Sequence, residues 1–356
     1  MPLTEALLPV ALVGAGRRSE TVYGPLLAGP LGNRAQLCAL VSRGKKRGSQ
    51  LAEELGLPFV HSLDEAVSRH GARAAILCAS SPENHRLAHQ SLDLQLPALL
   101  ETPLAFKLND ARALAARVEQ SSIPIEVAEQ NPRFLEQRFW KAVIDAGIIG
   151  TPRFISCDRA GYRYHATAVA RQLLGRPTAL QASGRRALLP IKGHDQQALY
   201  SGTIACDGGA VFQLTDGEAL WQQDSPWTRG SWAVLGEEGS LGSPDLVIGR
   251  TAGQRQAMVI ERVNRKSGKQ NFEAKLILHC ATPIEVTSPF PGERLTDDQQ
   301  AAALCLLDWL ARINGEATAT SWSAQDGLAD LEWICALERS AVLAGSPIRV
   351  EEGLRK

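Results

Sequence analysis

The sequence predicts an α/β protein: a doubly wound parallel sheet, followed by an α+β half built on a large, mostly antiparallel open sheet. Three observations lead there. Up to about residue 130, short apolar runs alternate with helix-like stretches. Those runs are apolar throughout, as expected of strands covered on both faces. Beyond that point the β–α alternation stops, and strand-like runs punctuated by glycines take over, the pattern of antiparallel hairpins. A chain of 356 residues fits about two domains at roughly 100–200 residues each. The change of pattern sets them at 1–128 and 129–356, with the C-terminal helices free to pack back on the first domain.

The elements follow in order. Pro9–Val13 is apolar and ends in Gly14, a buried strand. Thr21–Leu27 begins a helix that Gly24-Pro25 kinks or ends early. Gln36–Val41 is the second strand, and Lys45–Leu55 is a helix stopped by Gly56. Phe59–His61 is a short strand. Ser62 then reads as an N-cap, with Glu65 at the reciprocal position. Ala74–Cys78 is a strand, and Pro82–Leu94 a helix with proline in its first turn. Pro97–Leu100 is a strand ending at Glu101, Asn109–Glu119 a helix, and Ile123–Ala128 the last strand of the series. Arg133–Ala146 is a helix that stops at Gly147, Pro152–Cys157 is extended, and Tyr164–Leu174 is a helix closed by Gly175. Residues 178–290 are mostly strands and turns, residues 297–313 and 324–344 are helical, and Pro347–Val350 is a final strand.

Composition excludes several classes of function. Hydrophobic residues make up 44% and charged residues 21%, ordinary for a globular chain. Lys+Arg and Asp+Glu are 38 each, so no global basic field exists to hold nucleic acid or an anionic membrane. No apolar run approaches the ~20 residues of a membrane span. The apolar stretch near the start lacks a basic segment before it, so no signal peptide and a cytoplasmic location are expected. The seven cysteines form no C-x-x-C pair and fall mostly in apolar runs, as buried free thiols do. No His/Cys cluster has zinc spacing, so no metal is expected.

Val13-Gly14-Ala15-Gly16-Arg17-Arg18-Ser19 lies between the first strand and the next helix. It is a G-x-G-x-x-G turn with serine at the third glycine. The first glycine makes the tight turn and the second lets backbone approach a pyrophosphate, while the third need only be small. The following helix N-terminus offers N–H groups to phosphates. A nicotinamide dinucleotide is the expected cofactor, bound at Gly14, Gly16, Arg17 and Arg18. An NAD site usually ends its second strand in a carboxylate that accepts from the ribose 2′-hydroxyl. Here Val41-Ser42-Arg43-Gly44-Lys45-Lys46-Arg47 has none. Ser42 can donate to a 2′-phosphate and the Arg43 fork can clamp it, so NADP is expected over NAD.

The order of features resembles the Gfo/Idh/MocA oxidoreductase family over nearly the whole chain. Ile76-Leu77-Cys78-Ala79-Ser80-Ser81-Pro82-Glu83-Asn84-His85 resembles its strand-then-"TP…H" segment, and Leu99-Leu100-Glu101-Thr102-Pro103-Leu104 its E-K-P motif. Ile144–Pro152 resembles the family's entry to the second domain, His165…Arg171-Gln172-Leu173-Leu174-Gly175 its "H…r-l-l-G" helix, Leu235–Leu241 its "GeeG-l" turn, and Leu328–Val350 its terminal helix and strand. The resemblance implies hydride transfer between nicotinamide C4 and a carbon bearing a hydroxyl, often on a sugar or inositol. It places Ser80, Ser81, Pro82 and His85 along the nicotinamide half and Glu101 at the nicotinamide ribose. It implies a homodimer or homotetramer through the C-terminal sheet.

Two departures bear on the chemistry. Thr102 stands where the family has its lysine, and Gly161 where it has an aspartate four residues before the histidine. A threonine brings no positive charge to a developing alkoxide. His165 remains, and Tyr162 and Tyr164, with Arg163 between them, are the expected replacement proton donors. Lys192 and His194 form a polar turn within reach of a substrate or a solvated loop. Trp221, Trp227 and Trp232 read as an interface, a substrate wall or plain sheet packing. The expected activity is an NADP-dependent oxidoreductase acting on a hydroxylated or carbonyl small molecule with a non-standard proton donor, Thr102 included. The alternatives are a non-catalytic NADP-binding sensor and an enzyme that recycles a tightly bound nicotinamide.

Overall fold

A computed structural model describes residues 7–158, 162–190, 197–217, 232–242, 246–267, 270–318 and 321–350. Two compact units result, the first formed by Met1–Gln130 with Asp298–Leu328 and the second by Asn131–Asp297 with Ala329–Lys356.

In the first unit, strands β1 (Leu8–Val13), β2 (Ala35–Val41), β3 (Phe59–Val60), β4 (Ala74–Leu77), β5 (Ala98–Leu100) and β6 (Ile125–Val127) form one parallel sheet in the order β3-β2-β1-β4-β5-β6. Helices α1 (Gly24–Ala28), α2 (Lys45–Glu54), α3 (Leu63–His70), α4 (Ser81–Asp93) and α5 (Leu108–Glu119) connect them. That strand order is the Rossmann order, and the direction of winding reverses between β1 and β4. The apolar runs are buried as their composition demands: Val10, Ala11 and Leu12 of β1 and all four residues of β4 are 0% exposed.

Two local features differ from the pattern reading or refine it. The first helix does not end at Gly24-Pro25. A π turn at Ser19–Tyr23, closed by Gly24 N–H donating to Ser19 O, runs directly into α1, and Pro25 sits in the first turn of α1. The missing proline N–H thus falls where the hydrogen-bonding pattern changes. At α3, Ser62 Oγ accepts from Glu65 N–H at 3.2 Å. The Glu65 carboxylate accepts from His61 N–H at 2.8 Å, a reciprocal cap displaced by one residue. Ser62→Ala is expected to cost about 1 kcal/mol, read as a lower urea midpoint with an unchanged slope.

The second unit begins with a 3₁₀ turn at Asn131–Arg133, so α6 starts later than the pattern suggests and spans Leu135–Asp145. After β7 (Pro152–Cys157) and α7 (Arg163–Leu173) come β8 (Ala179–Leu189), β9 (Gln197–Cys206), β10 (Val211–Gly217), β11 (Trp232–Gly236), β12 (Ser240–Gly242), β13 (Leu246–Thr251), β14 (Gln254–Ser267), β15 (Gln270–Leu278) and β16 (Ile284–Thr287). Helices α8 (Asp297–Ile313) and α9 (Ala324–Val342) and strand β17 (Ile348–Arg349) complete the chain. The described strands of this unit make a sheet of 11, ordered β16-β15-β14-β13-β12-β11-β7-β10-β9-β8-β17. Every pairing in it is antiparallel except β7 with β10. Helix α6 packs on β15 and β16 and α7 on β7 and β10, burying Phe139, Ile155 and Phe212 completely. Trp232 packs 6.2 Å from Trp140 of α6, while Trp221 and Trp227 lie outside the described residues. The seven cysteines are free thiols, four of them buried.

Candidate dinucleotide site

A cleft of about 400 Å³ opens in the first unit at the C-terminal ends of β1, β2 and β4. That is where a doubly wound sheet offers its ligand site. Its floor is Gly14–Gly16. Gly14 has φ +105°, and its N–H donates to Val41 O at 2.8 Å, tying the turn to β2. A Cβ on Gly14 would stand 2.6 Å from Cys78 O, so only glycine lets β1 turn this close to β4. Gly16 is exposed, and a Cβ there would meet nothing nearer than 4.0 Å. Ser19 is fully buried, as a small residue at the third glycine position must be.

One wall comes from the end of β2. Ser42 Oγ accepts from Gly44 N–H at 3.3 Å, and Gly48 lets α2 close in behind it, since a Cβ there would lie 2.4 Å from the Phe59 ring. Helix α2 then opens on Lys45, Lys46 and Arg47 with no acidic residue in its first turn. Arg47 pairs with Glu20 at 2.5 Å. Cations at a helix N-terminus repel its dipole and leave this wall electropositive. Arg43 lines the same wall, 72% exposed in its side chain. The opposite wall comes from β4 and α4. Ser80 lines the cleft, and Asn84, 1% exposed, accepts from Ala79 N–H at 2.8 Å to fix the turn into α4. Pro82 occupies the first turn of α4, and Ser81 is described in its backbone only.

His85 does not line the cleft. Its Nε2 faces Asp110 O at 3.2 Å and His89 Nε2 at 3.1 Å. Burial, then the neighbouring His85 and Arg117, hold the His89 pKa below its ordinary value. Arg17 is exposed beside the turn, but Arg18 is engaged within the unit. Its guanidinium reaches Glu101 at 2.7 Å, Asp298 at 2.5 Å and Gln130 at 3.2 Å. Tyr23 donates to the same Glu101 oxygen at 2.7 Å. Burial works against the Arg18 charge, yet Glu101, Tyr23 and Asp298 hold its pKa above the ordinary value. Burial, reinforced by Glu101, pushes the Tyr23 phenol and the Cys78 thiol well up, so Tyr23 stays a donor and Cys78 an inert thiol. Thr102 follows Glu101, half-buried and joined to Pro103 by a cis peptide bond.

The remaining candidates lie in the second unit. His165, 8% exposed, sits in the first turn of α7 with its N–H donating to Tyr162 O at 3.0 Å. Tyr164 packs edge-on against its ring at 4.4 Å, and Tyr162 stacks on Tyr164 at 5.5 Å, so the three rings form one cluster. Tyr162 is the exposed member, at 68%. Arg163 directs its guanidinium to Glu338 at 2.6 Å, to Asp216 at 3.4 Å and over the Tyr200 ring at 4.4 Å. Two carboxylates and a ring face take up the charge that was expected to serve the neighbouring tyrosines. Gly161, Lys192 and His194 lie outside the described residues.

Pattern reasoning did not find Glu83 and Arg86 in the cleft, nor the ties from Arg18 to Glu101 and Asp298. The first pair carries a sequence signal, an i,i+3 couple on the opening turns of α4. The second carries none, because its members are 83 and 280 residues apart. Among the described residues no group of three His, Cys, Asp or Glu side chains can hold a metal. No described helix is long and apolar enough to cross a membrane.

Residues 8–128 match the family model described as "Oxidoreductase family, NAD-binding Rossmann fold", of the GFO_IDH_MocA group. A D-apiose dehydrogenase from Rhizobium rhizogenes is 26% identical over 186 residues, 45% of this chain. The match covers 53% of that enzyme, so the chain spans about half the length of this curated relative. Among solved structures, an oxidoreductase from Agrobacterium radiobacter in complex with NAD+, L-tartaric acid and magnesium aligns with a TM-score of 0.71 at 18% identity, over 98% of this chain and 99% of that one. An oxidoreductase from Thermotoga maritima aligns with a TM-score of 0.71 at 17% identity, over 98% and 100%. Both likenesses extend through the second unit and show its fold. At residues 8–128 the chain therefore matches the NAD-binding Rossmann domain of the Gfo/Idh/MocA oxidoreductase family.

Proposed function

We propose that the protein is an NADP-dependent oxidoreductase acting on a hydroxylated or carbonyl small molecule of the sugar or polyol kind. The observation that carries the reading is the cleft wall at the end of β2, where Ser42 and Arg43 stand in place of a carboxylate. The cradle fits the cofactor. Gly14 has no room for a side chain, Gly16 is open to a pyrophosphate, and Ser42 and Arg43 present a hydroxyl and a fork to a 2′-phosphate. When bound, a nicotinamide dinucleotide supplies the hydride chemistry at its C4.

The chain's own residues do the rest. The backbone of Gly14–Gly16 receives the pyrophosphate. Arg18 and Tyr23 hold Glu101 oriented beside Thr102. In the second unit, Tyr164 fixes the His165 ring, and this aromatic cluster handles the substrate proton. The D-apiose dehydrogenase similarity supports a sugar-like substrate. Exposed Leu180 and Leu188 on β8 and Val259 on β14 support assembly of copies through the sheet of the second unit.

Equilibrium titration with NADPH and NADH tests the cofactor assignment. Arg43→Ala is expected to weaken NADPH by roughly 10–100-fold, the worth of a hydrogen bond to a charged group. NADH is expected to move less than about twofold, because it carries no 2′-phosphate for the fork to lose. An equal loss for both dinucleotides would defeat the assignment. A second reading, a dinucleotide-binding sensor without turnover, rests on Thr102 bringing no cation to the reacting oxygen. Tight NADPH binding with no change in nicotinamide absorbance across a panel of sugars, polyols and their carbonyl forms would favour it.

A further inference from the structure

We infer that Glu83 and Arg86, on the opening turns of α4, set the dinucleotide preference together with Arg43: Glu83 holds the two guanidiniums facing the cleft, and a 2′-phosphate displaces it to take both forks. The inference rests on the proposed dinucleotide site and adds a selecting element from the side of the cleft opposite β2.

The geometry is specific. One carboxylate oxygen, Glu83 Oε2, lies 3.3 Å from Arg43 Nη2, 3.2 Å from Arg86 Nη2 and 3.3 Å from Arg86 Nε. The two arginines come from different walls, β2 and α4, and both line the cleft beside Gly14–Gly16. Two guanidiniums brought together repel one another unless an anion sits between them. The carboxylate does so loosely, since charge-assisted N–H···O bonds in good geometry run about 2.7–2.9 Å. A dianionic phosphate has three oxygens and can accept from both forks at once, which a single carboxylate oxygen cannot do in good geometry. Arg43 and Arg86 against Glu83 leave one positive charge facing the cleft. Glu83 is the least exposed of the three, at 23% in its side chain against 72% and 55%. It therefore stays near the site after displacement, as a competitor that a 2′-hydroxyl cannot dislodge. NADP binding gains the Arg86 fork, while NAD binding leaves the trio undisturbed.

The test is direct titration of the full-length protein with NADPH and NADH, and competition by 2′-AMP against 5′-AMP, for the wild type, Arg86→Ala, Arg86→Lys and Glu83→Gln. Arg86→Ala should weaken NADPH and 2′-AMP about tenfold and NADH and 5′-AMP less than about twofold. Arg86→Lys should recover part of the loss, as a point charge without the fork does. Glu83→Gln should tighten NADPH roughly 3–10-fold by removing the competing anion. Thermal melts of the variants establish that each folds. A wild type that binds neither dinucleotide, or favours NADH, defeats the underlying cofactor assignment. A wild type that favours NADPH while Arg86→Ala weakens both cofactors alike overturns this inference alone. So does a Glu83→Gln variant that selectively loses NADH, because Glu83 would then be the acceptor for a ribose hydroxyl.

Discussion

Gly14→Val is expected to abolish binding of NADPH and NADH alike, a loss above about 100-fold, and to lower stability by at least roughly 2–3 kcal/mol. Two independent costs converge at this residue. Its φ of +105° lies where a β-branched side chain is a severe outlier. A Cβ would also stand 2.6 Å from Cys78 O, 2.7 Å from Cys78 C and 2.8 Å from Ala79 N, all backbone atoms that no rotamer change can move. The end of β4 must shift, and with it Ser80 and the start of α4, which form one wall of the cleft. Gly16→Ala separates the two costs. Its Cβ would meet nothing nearer than 4.0 Å, so stability should change by less than about 0.5 kcal/mol. Dinucleotide binding should still fall, because the methyl group occupies the approach of the pyrophosphate. Isothermal titration with both cofactors, paired with urea melts, reads both quantities. A Gly14→Val protein that binds NADPH normally would show that the turn is only structural.

The contrast between Arg43 and Arg18 shows how far the sequence speaks. Both are arginines in or beside the expected cofactor segments. Arg43 follows a strand whose apolar run ends within two residues of it, so period and turn place it at the cleft, and it lines the cleft. Arg18 is placed by the same logic, but its side chain is long enough to choose among partners, and Asp298 reaches it from a segment 280 residues away. No local pattern encodes that choice. The parallel sheet was legible because uniformly apolar strands and helical stops are local signals. The second sheet was legible as a class but not in its order, since β7 pairs with β10 and β11, each more than 50 residues on. Gly184 makes the same point. Its place in β8 is set by α9, where a Cβ would lie 2.4 Å from Leu337 O, a neighbour more than 150 residues on in the chain. The Thr102 departure was legible only against a family pattern, because a half-buried threonine carries no local signal of a missing cation.

Asp330→Ala is expected to destabilise the protein by about 3–5 kcal/mol, the range for breaking a buried ion pair. Asp330 of α9 holds Arg171 of α7 at 2.7 Å, with side chains 4% and 6% exposed, and the Thr167 hydroxyl donates to Asp330 O at 3.3 Å. The substitution leaves the Arg171 charge buried without this carboxylate, and that desolvation, rather than lost attraction, dominates the cost. The double variant Arg171→Met/Asp330→Leu removes both charges and should recover most of the stability, to within about 1–2 kcal/mol of the wild type. If so, the pair contributes little net stability, and its consequence lies in fixing the rotation of α7. That helix carries Tyr164 and His165 two turns before Arg171. The double variant should therefore melt close to the wild type and bind NADPH normally, yet turn over substrate more slowly with an altered pH profile. A double variant as unstable as Asp330→Ala would instead make the ion pair a net source of stability, and the aromatic cluster would owe its orientation to packing alone.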